Sequence, residues 1–211
     1  MHDRNRWTIY LRSSPSRALG CIVLASLIVD VLLKSPANRQ EIMWACYWAS
    51  GALAIGMLTG CADLVSGAVI FFAGLGVPAW IISILIDGQT EVTSVLIHVV
   101  PLLAGLYFVS RLAVLPRHSA AFAWLMFGVP FALSWQFSNP AAMINLSHWT
   151  RWPVPQMVPH LWQFYVGLLL VSVALVNSTA IIMTAILKRG SDSELTASLR
   201  DCRTVPSRYG L

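Results

Sequence analysis

The chain has 211 residues, of which 57% are hydrophobic and 11% charged, with a formal net charge of +5. A soluble domain carries about 25% charged residues, and a fold of this size cannot hide so much apolar surface from water. Lipid as solvent removes the conflict. The positive charge does not indicate nucleic acid as a partner, because Lys and Arg sit in the tails and short loops, where a membrane protein meets anionic headgroups.

Residues 1–17 form a basic N-terminal segment with Arg4, Arg6, Arg12 and Arg17. The first apolar run begins near residue 18 and ends in Asp30-Val31-Leu32-Leu33-Lys34. It lacks an Ala-x-Ala cleavage site, so it reads as a retained span, not a signal peptide. A span needs about 20 mostly apolar residues. Six segments qualify, at 18–33, 43–60, 64–86, 93–113, 119–137 and 160–187. The expected fold is therefore all-α, a polytopic bundle of six transmembrane helices over residues 18–188, followed by a polar, loosely ordered tail at 189–211. Gly74-Leu75-Gly76-Val77-Pro78 interrupts the third segment, which a span tolerates when neighbouring helices re-satisfy its backbone. Gly51, Ala52 and Gly56, and Gly67 with Ala68, allow close helix approach.

Loop charges set the expected orientation. With both termini in the cytoplasm, eleven Lys and Arg lie inside and three, Lys34, Arg39 and Arg151, lie outside, which accounts for all fourteen. The expected location is the plasma (inner) membrane, with membrane lipids and other membrane subunits as partners. The longest outer connection, 138–159, is rich in Trp, Pro and Asn, and its Trp149 and Trp152 fit an aromatic belt at the headgroups.

Polar groups inside spans are expensive and mark function by default. In this topology Cys46 lies just below the outer surface, and His98 enters its own span at nearly the same depth. Asp30, His160 and Gln163 share that side, with Asn139, Asn145 and His148 in the segment above. Cys46 and His98 make a nucleophile and a base, since the thiolate is the reactive form of cysteine and a nearby His generates it. A sulfur-to-nitrogen distance within about 4 Å would support that pairing. Asn139 and Asn145 are placed to orient an ester, with His148, His160 and Gln163 around it. The bland readings are a packing cysteine at Cys46 and a helix-bridging histidine at His98. Asp30 can also simply pair with Lys34 one turn later. Cys21, Cys61 and Cys202 have no partner in view. The four cysteines form neither a CxxC pair nor a disulfide framework. His98, His148, His160 and Cys46 are also acceptable ligands for zinc. No His-x-His or His-x-x-x-His spacing supports a metal, and no cofactor is expected.

The order of features resembles the YwaF-like integral membrane proteins, whose animal relatives are cysteine-dependent phospholipid acyltransferases. The matching pieces are Cys46, Gly74-Leu75-Gly76, Ile97-His98-Val99-Val100-Pro101-Leu102, Asn139 and Asn145, and Trp152-Pro153-Val154-Pro155. The family often has Asp after the cysteine, where this chain has Tyr47. The His98 run also resembles the androgen-induced fatty-acid-ester hydrolases, which use an intramembrane Thr and a His; Ser50, one turn below Cys46, is the hydroxyl that would take the Thr's place. The resemblance implies an intramembrane lipid acyltransferase or ester hydrolase. A non-catalytic accessory subunit and a small-molecule transporter are the alternatives. Against a transporter, the polar residues cluster at one level instead of lining a path.

Overall fold

The computed structural model describes residues 14–34, 42–87, 92–112, 114–137 and 161–203. All regular structure in these residues is helical. Helix α1 is Ser14–Leu33 and α2 is Ala45–Thr59. Helix α3, Ala62–Phe71, runs through a π-helical turn, Phe72–Gly76, into α4, Val77–Asp87. Helices α5 (Val92–Val109), α6 (Ser119–Phe137) and α7 (Leu161–Arg203) complete the bundle.

The outer surface is apolar. Leu32, Leu85 and Ile181 are 76%, 78% and 69% exposed. Ile22, Ile28, Ile55, Leu103, Leu125 and Leu170 are exposed as well. Water would penalise so broad an apolar surface, and hydrocarbon does not. The chain is a multi-pass integral membrane protein.

The expectation of six transmembrane helices is corrected to four. Ser14–Leu33, Ala62–Leu85, Ser119–Phe137 and Tyr165–Gly190 are long and apolar enough to cross. The other two apolar helices, Ala45–Thr59 and Thr93–Val109, are shorter. At about 1.5 Å per residue they reach only about 22 and 26 Å, against a hydrocarbon core of about 30 Å. Hydropathy registered both as spans because it cannot see where the helix ends. Gly60 ends α2 in the left-handed conformation, φ 78°, and its N–H and that of Cys61 both donate to the Gly56 carbonyl, at 2.9 and 2.8 Å. Glycine takes this conformation without the strain a Cβ would bring. At the end of α5 the Ser110 N–H donates to the Leu106 carbonyl at 2.8 Å and the Arg111 N–H to the Phe108 carbonyl at 3.1 Å, as the chain turns out of the helix. The assignment of Lys and Arg to inner and outer loops counted six spans, and it falls with that number.

The other difference is at the C-terminus. Helix α7 is 43 residues long and continues to Arg203, well into the expected loose tail. Residues 1–13 and the 138–159 connection lie outside the described residues.

Helix α3 is the centre of the bundle. Val65, Ala68, Val69 and Ile70 are fully buried, and α2, α5 and α6 all pack against it. Small residues make these contacts close. A Cβ on Gly105 of α5 would sit 2.3 Å from Val69 Cγ2, and one on Gly67 would sit 2.6 Å from Phe122 Cβ on α6. Helices α1 and α2 run antiparallel. The Ser16 hydroxyl donates to the Met57 carbonyl at 3.3 Å at one end, and Tyr47 donates to Asp30 at the other.

These approaches lead to a stability prediction. Gly105→Ala forces its new methyl into buried Val69 and is expected to lower stability in detergent by about 1–3 kcal/mol. Gly128→Ala meets nothing within 4 Å and is expected to leave stability the same or slightly higher. Thermal unfolding of the two variants checks this, and equal melting temperatures would contradict the close α3–α5 contact.

Candidate functional site

The site is built where α2 starts, α5 begins its descent and the π turn passes between them. Cys46 is the second residue of α2, and its Sγ lies 3.6 Å from where a Cβ on Gly76 would be. The π turn exists because of its sequence. Pro78 has no N–H to continue the ladder, and the Val77 N–H reaches back five residues to the Phe72 carbonyl. This wider turn sets glycine next to the thiol.

His98 lies on α5 with Nε2 3.1 Å from Cys46 Sγ. Its Nδ1 is 2.7 Å from the Ser94 carbonyl oxygen, one turn earlier. A carbonyl can only accept, so Nδ1 carries the proton. In a neutral imidazole that leaves Nε2 as the acceptor, and the Cys46 thiol donates to it. The ring is also clamped in its plane. Trp80 of α4 stacks on it with centroids 4.8 Å apart and planes 8° from parallel. Both Cys46 and His98 are 6% exposed. Burial disfavours separated charges, so the resting pair is a neutral thiol and a neutral imidazole.

Ser50 faces the same helix but has a different partner. Its hydroxyl donates to the Ile97 carbonyl at 3.3 Å. Pro101 explains that carbonyl's availability: four residues after Ile97, it lacks the N–H that would have satisfied it. Ser50 thereby repairs a backbone defect, while both His98 nitrogens are already engaged by Ser94 and Cys46.

Beside the dyad lies a second buried polar pair. The Tyr47 hydroxyl donates to Asp30, which is fully buried on α1. Lys34, four residues after Asp30 and just past the end of α1, has its Nζ 5.8 Å from the centre of the Tyr47 ring.

Sequence reasoning brought Cys46, His98 and Asp30 to one level, and the structure places all three at one end of the bundle. Gln163 is half-buried at the start of α7, a helix that packs mainly on α6, α3 and the π turn. Asn139, Asn145, His148 and His160 lie outside the described residues. No three of His, Cys, Asp and Glu stand together to hold a metal among the described residues. Sequence reasoning missed three contributors, Trp80, the Ser94 carbonyl and Tyr47. Ser94 was open to inference, since it sits one helical turn before His98. Trp80 was not, because its register depends on the π turn.

No family model, no curated protein and no solved structure matches this chain. The likeness to YwaF-like proteins rests on the quoted residues alone.

The two hydroxyl and thiol roles are separable. Ser50→Ala leaves the Ile97 carbonyl without a donor, which is expected to lower stability by about 1 kcal/mol. It is expected to leave the rate of Cys46 alkylation within about twofold of the parent. Unfolding and thiol modification of one Ser50→Ala preparation measure both; a collapse of thiol reactivity with stability unchanged would place Ser50 in the chemistry instead.

Proposed function

We propose that this chain is an intramembrane acyl-transfer enzyme, a lipid acyltransferase or lipid-ester hydrolase, with Cys46 as nucleophile and His98 as general base. The observation that carries this reading is the 3.1 Å contact between His98 Nε2 and Cys46 Sγ, with Nδ1 committed to the Ser94 carbonyl. A nucleophile, a base in contact with it and a third group orienting the base form the arrangement that covalent acyl transfer needs.

The chemistry follows from the geometry. His98 Nε2 takes the thiol proton as Sγ attacks the ester carbonyl carbon. The tetrahedral intermediate collapses and its C–O bond breaks. The imidazolium returns the proton to the leaving alcohol oxygen, and an S-acyl Cys46 remains. A second alcohol, or water, then gives its proton to Nε2 and attacks the thioester, releasing the transferred ester or the free acid and restoring the thiol. The choice of acceptor decides between acyltransferase and hydrolase. A lipid ester suits the setting, since its acyl chain can remain among the apolar helix faces while its carbonyl reaches the thiol. Cys46 and His98 are nearly closed off, so the ester must displace part of their cover, of which Trp80 is half-buried. Asn139, Asn145, His148, His160 and Gln163 are the residues assigned to hold the ester and headgroup in this reading. Residence in the plasma membrane and association with other membrane subunits belong to the same proposal, as does the likeness to YwaF-like proteins.

Acyl-enzyme trapping tests it. Purified protein in lipid is incubated with an activated fatty-acyl ester, and the peptide containing Cys46 is weighed. A hydroxylamine-labile acyl adduct on Cys46 is expected. His98→Ala is expected to slow its formation by about 10²–10⁴-fold, the usual contribution of a positioned base. Cys46→Ala is expected to abolish it. Turnover of lipid ester by Cys46→Ala at the parent rate would overturn the proposal.

A further inference from the structure

Asn177 stands where a membrane protein can least accommodate an amide. It lies midway along the Tyr165–Gly190 crossing of α7, about 18 Å from either end at about 1.5 Å per residue. The residue is exposed on the outside of the bundle, and its amide has no hydrogen-bond partner among the described residues. Hydroxyls on the same apolar surface are satisfied within their own helices. Ser26 and Thr184 donate to carbonyls four residues earlier, at 3.0 and 2.8 Å. A carboxamide asks for more, because its carbonyl needs a donor and every backbone N–H in mid-helix is already given away. In hydrocarbon, water does not supply that donor, so a second helix must.

The surroundings of Asn177 fit such a helix. Ser172, Val176, Met183 and Leu187 form the buried stripe by which α7 joins the bundle. Asn177 is on the opposite side, in a stripe of Leu170, Ala174, Asn177, Ile181 and Thr184, all of them exposed. Their spacing alternates between four and three residues, which is the seam of a left-handed helix pair. Ala174, one turn before the amide, is small enough for close backbone approach. Helix α7 is also the least covered of the four crossing helices.

We infer that this face of α7 pairs with the same face of a second copy of the chain, with the two Asn177 amides hydrogen-bonded across the interface. Copies inserted in one direction are related by a two-fold axis along the membrane normal, so equivalent residues meet at equal depth. The charges are then complementary. Each amide turns its partly positive N–H edge to the partly negative carbonyl of the other, one bond in each direction. A different helix would need a polar group of its own at mid-bilayer and in this register. A single asparagine in such a seam fixes both register and number of helices. The interface lies on the far side of α7 from the bundle, and the inference does not rest on the acyl-transfer reading.

Counting copies in a bilayer tests it. The full-length protein, with one fluorophore at its N-terminus, is placed in phosphatidylcholine liposomes over a range of protein-to-lipid ratios, and photobleaching steps are counted. Pairs that grow with protein density are expected for the parent. Asn177→Leu is expected to weaken association about tenfold, and Asn177→Gln, which keeps the amide, to recover most of it. Ala174→Leu wedges the seam open and is expected to weaken association as well, which keeps the test alive if Asn177→Leu does not insert. Both Leu variants are expected to keep the parent's melting temperature as monomers, since neither alters the buried face of α7. A parent that stays monomeric at every density would overturn the inference, including one that pairs only after a membrane extract is added, which marks another protein as the occupant. Pairs left intact by both Leu variants would also overturn it, by placing the interface elsewhere. Failure of the acyl-transfer reading looks different: no acyl-Cys46 forms, while pairing still depends on Asn177.

Discussion

Inside hydrocarbon a polar group finds a partner only within the protein, and the described structure follows from that constraint. Several polar side chains at the dyad's end of the bundle answer a need created by another. Pro101 frees a carbonyl, and Ser50 takes it. The Ser94 carbonyl receives the Nδ1 proton of His98, which leaves Nε2 to receive the thiol of Cys46. Tyr47 turns away from the thiol and gives its hydroxyl to Asp30. The same helix α2 thus presents Cys46 and Ser50 to α5 and Tyr47 to α1, as neighbouring stripes of a 3.6-residue repeat require.

Where the constraint is not met, the exceptions are informative. Asp30 Oδ1, Trp44 Nε1, Ser66 Oγ and Ser172 Oγ are buried without a hydrogen-bond partner among the described residues. A serine hydroxyl is the least expensive of these to bury, and a carboxylate oxygen the most. Asp30 and Trp44 both belong to the end of the bundle that holds the dyad, Trp44 standing just before the helix that carries Cys46. Unsatisfied polarity beside the Cys46–His98 contact is what the proposed reaction would draw on, its interactions being completed during turnover and not before it.

The sequence showed the solvent, the helical class and the level at which Cys46, His98 and Asp30 meet. Those readings depend on composition and on counting residues along a helix, which are local properties. The number of spans was not legible, because the 43–60 and 93–113 stretches are apolar nearly throughout, while the apolar helices within them cover only Ala45–Thr59 and Thr93–Val109. The role of Ser50 was half legible. Its depth beside Cys46 could be read, but its partner is a carbonyl exposed by a proline on another helix. Trp80 was out of reach, because its place over the imidazole depends on the π turn inserted at Phe72–Gly76. Gly67 was visible as a close-packing position, and its neighbour proves to be Phe122 of α6.

The central claim is that His98 is held as the tautomer that can deprotonate Cys46. Nitrogen-15 NMR of histidine-labelled protein in lipid measures this most directly, with the His98 signals assigned by their loss in His98→Ala. The account predicts a protonated, pyrrole-type Nδ1 and an unprotonated Nε2 that shifts when Cys46 is replaced by Ala. A protonated Nε2 in the resting state, or an Nε2 signal that does not respond to loss of the thiol, would contradict it.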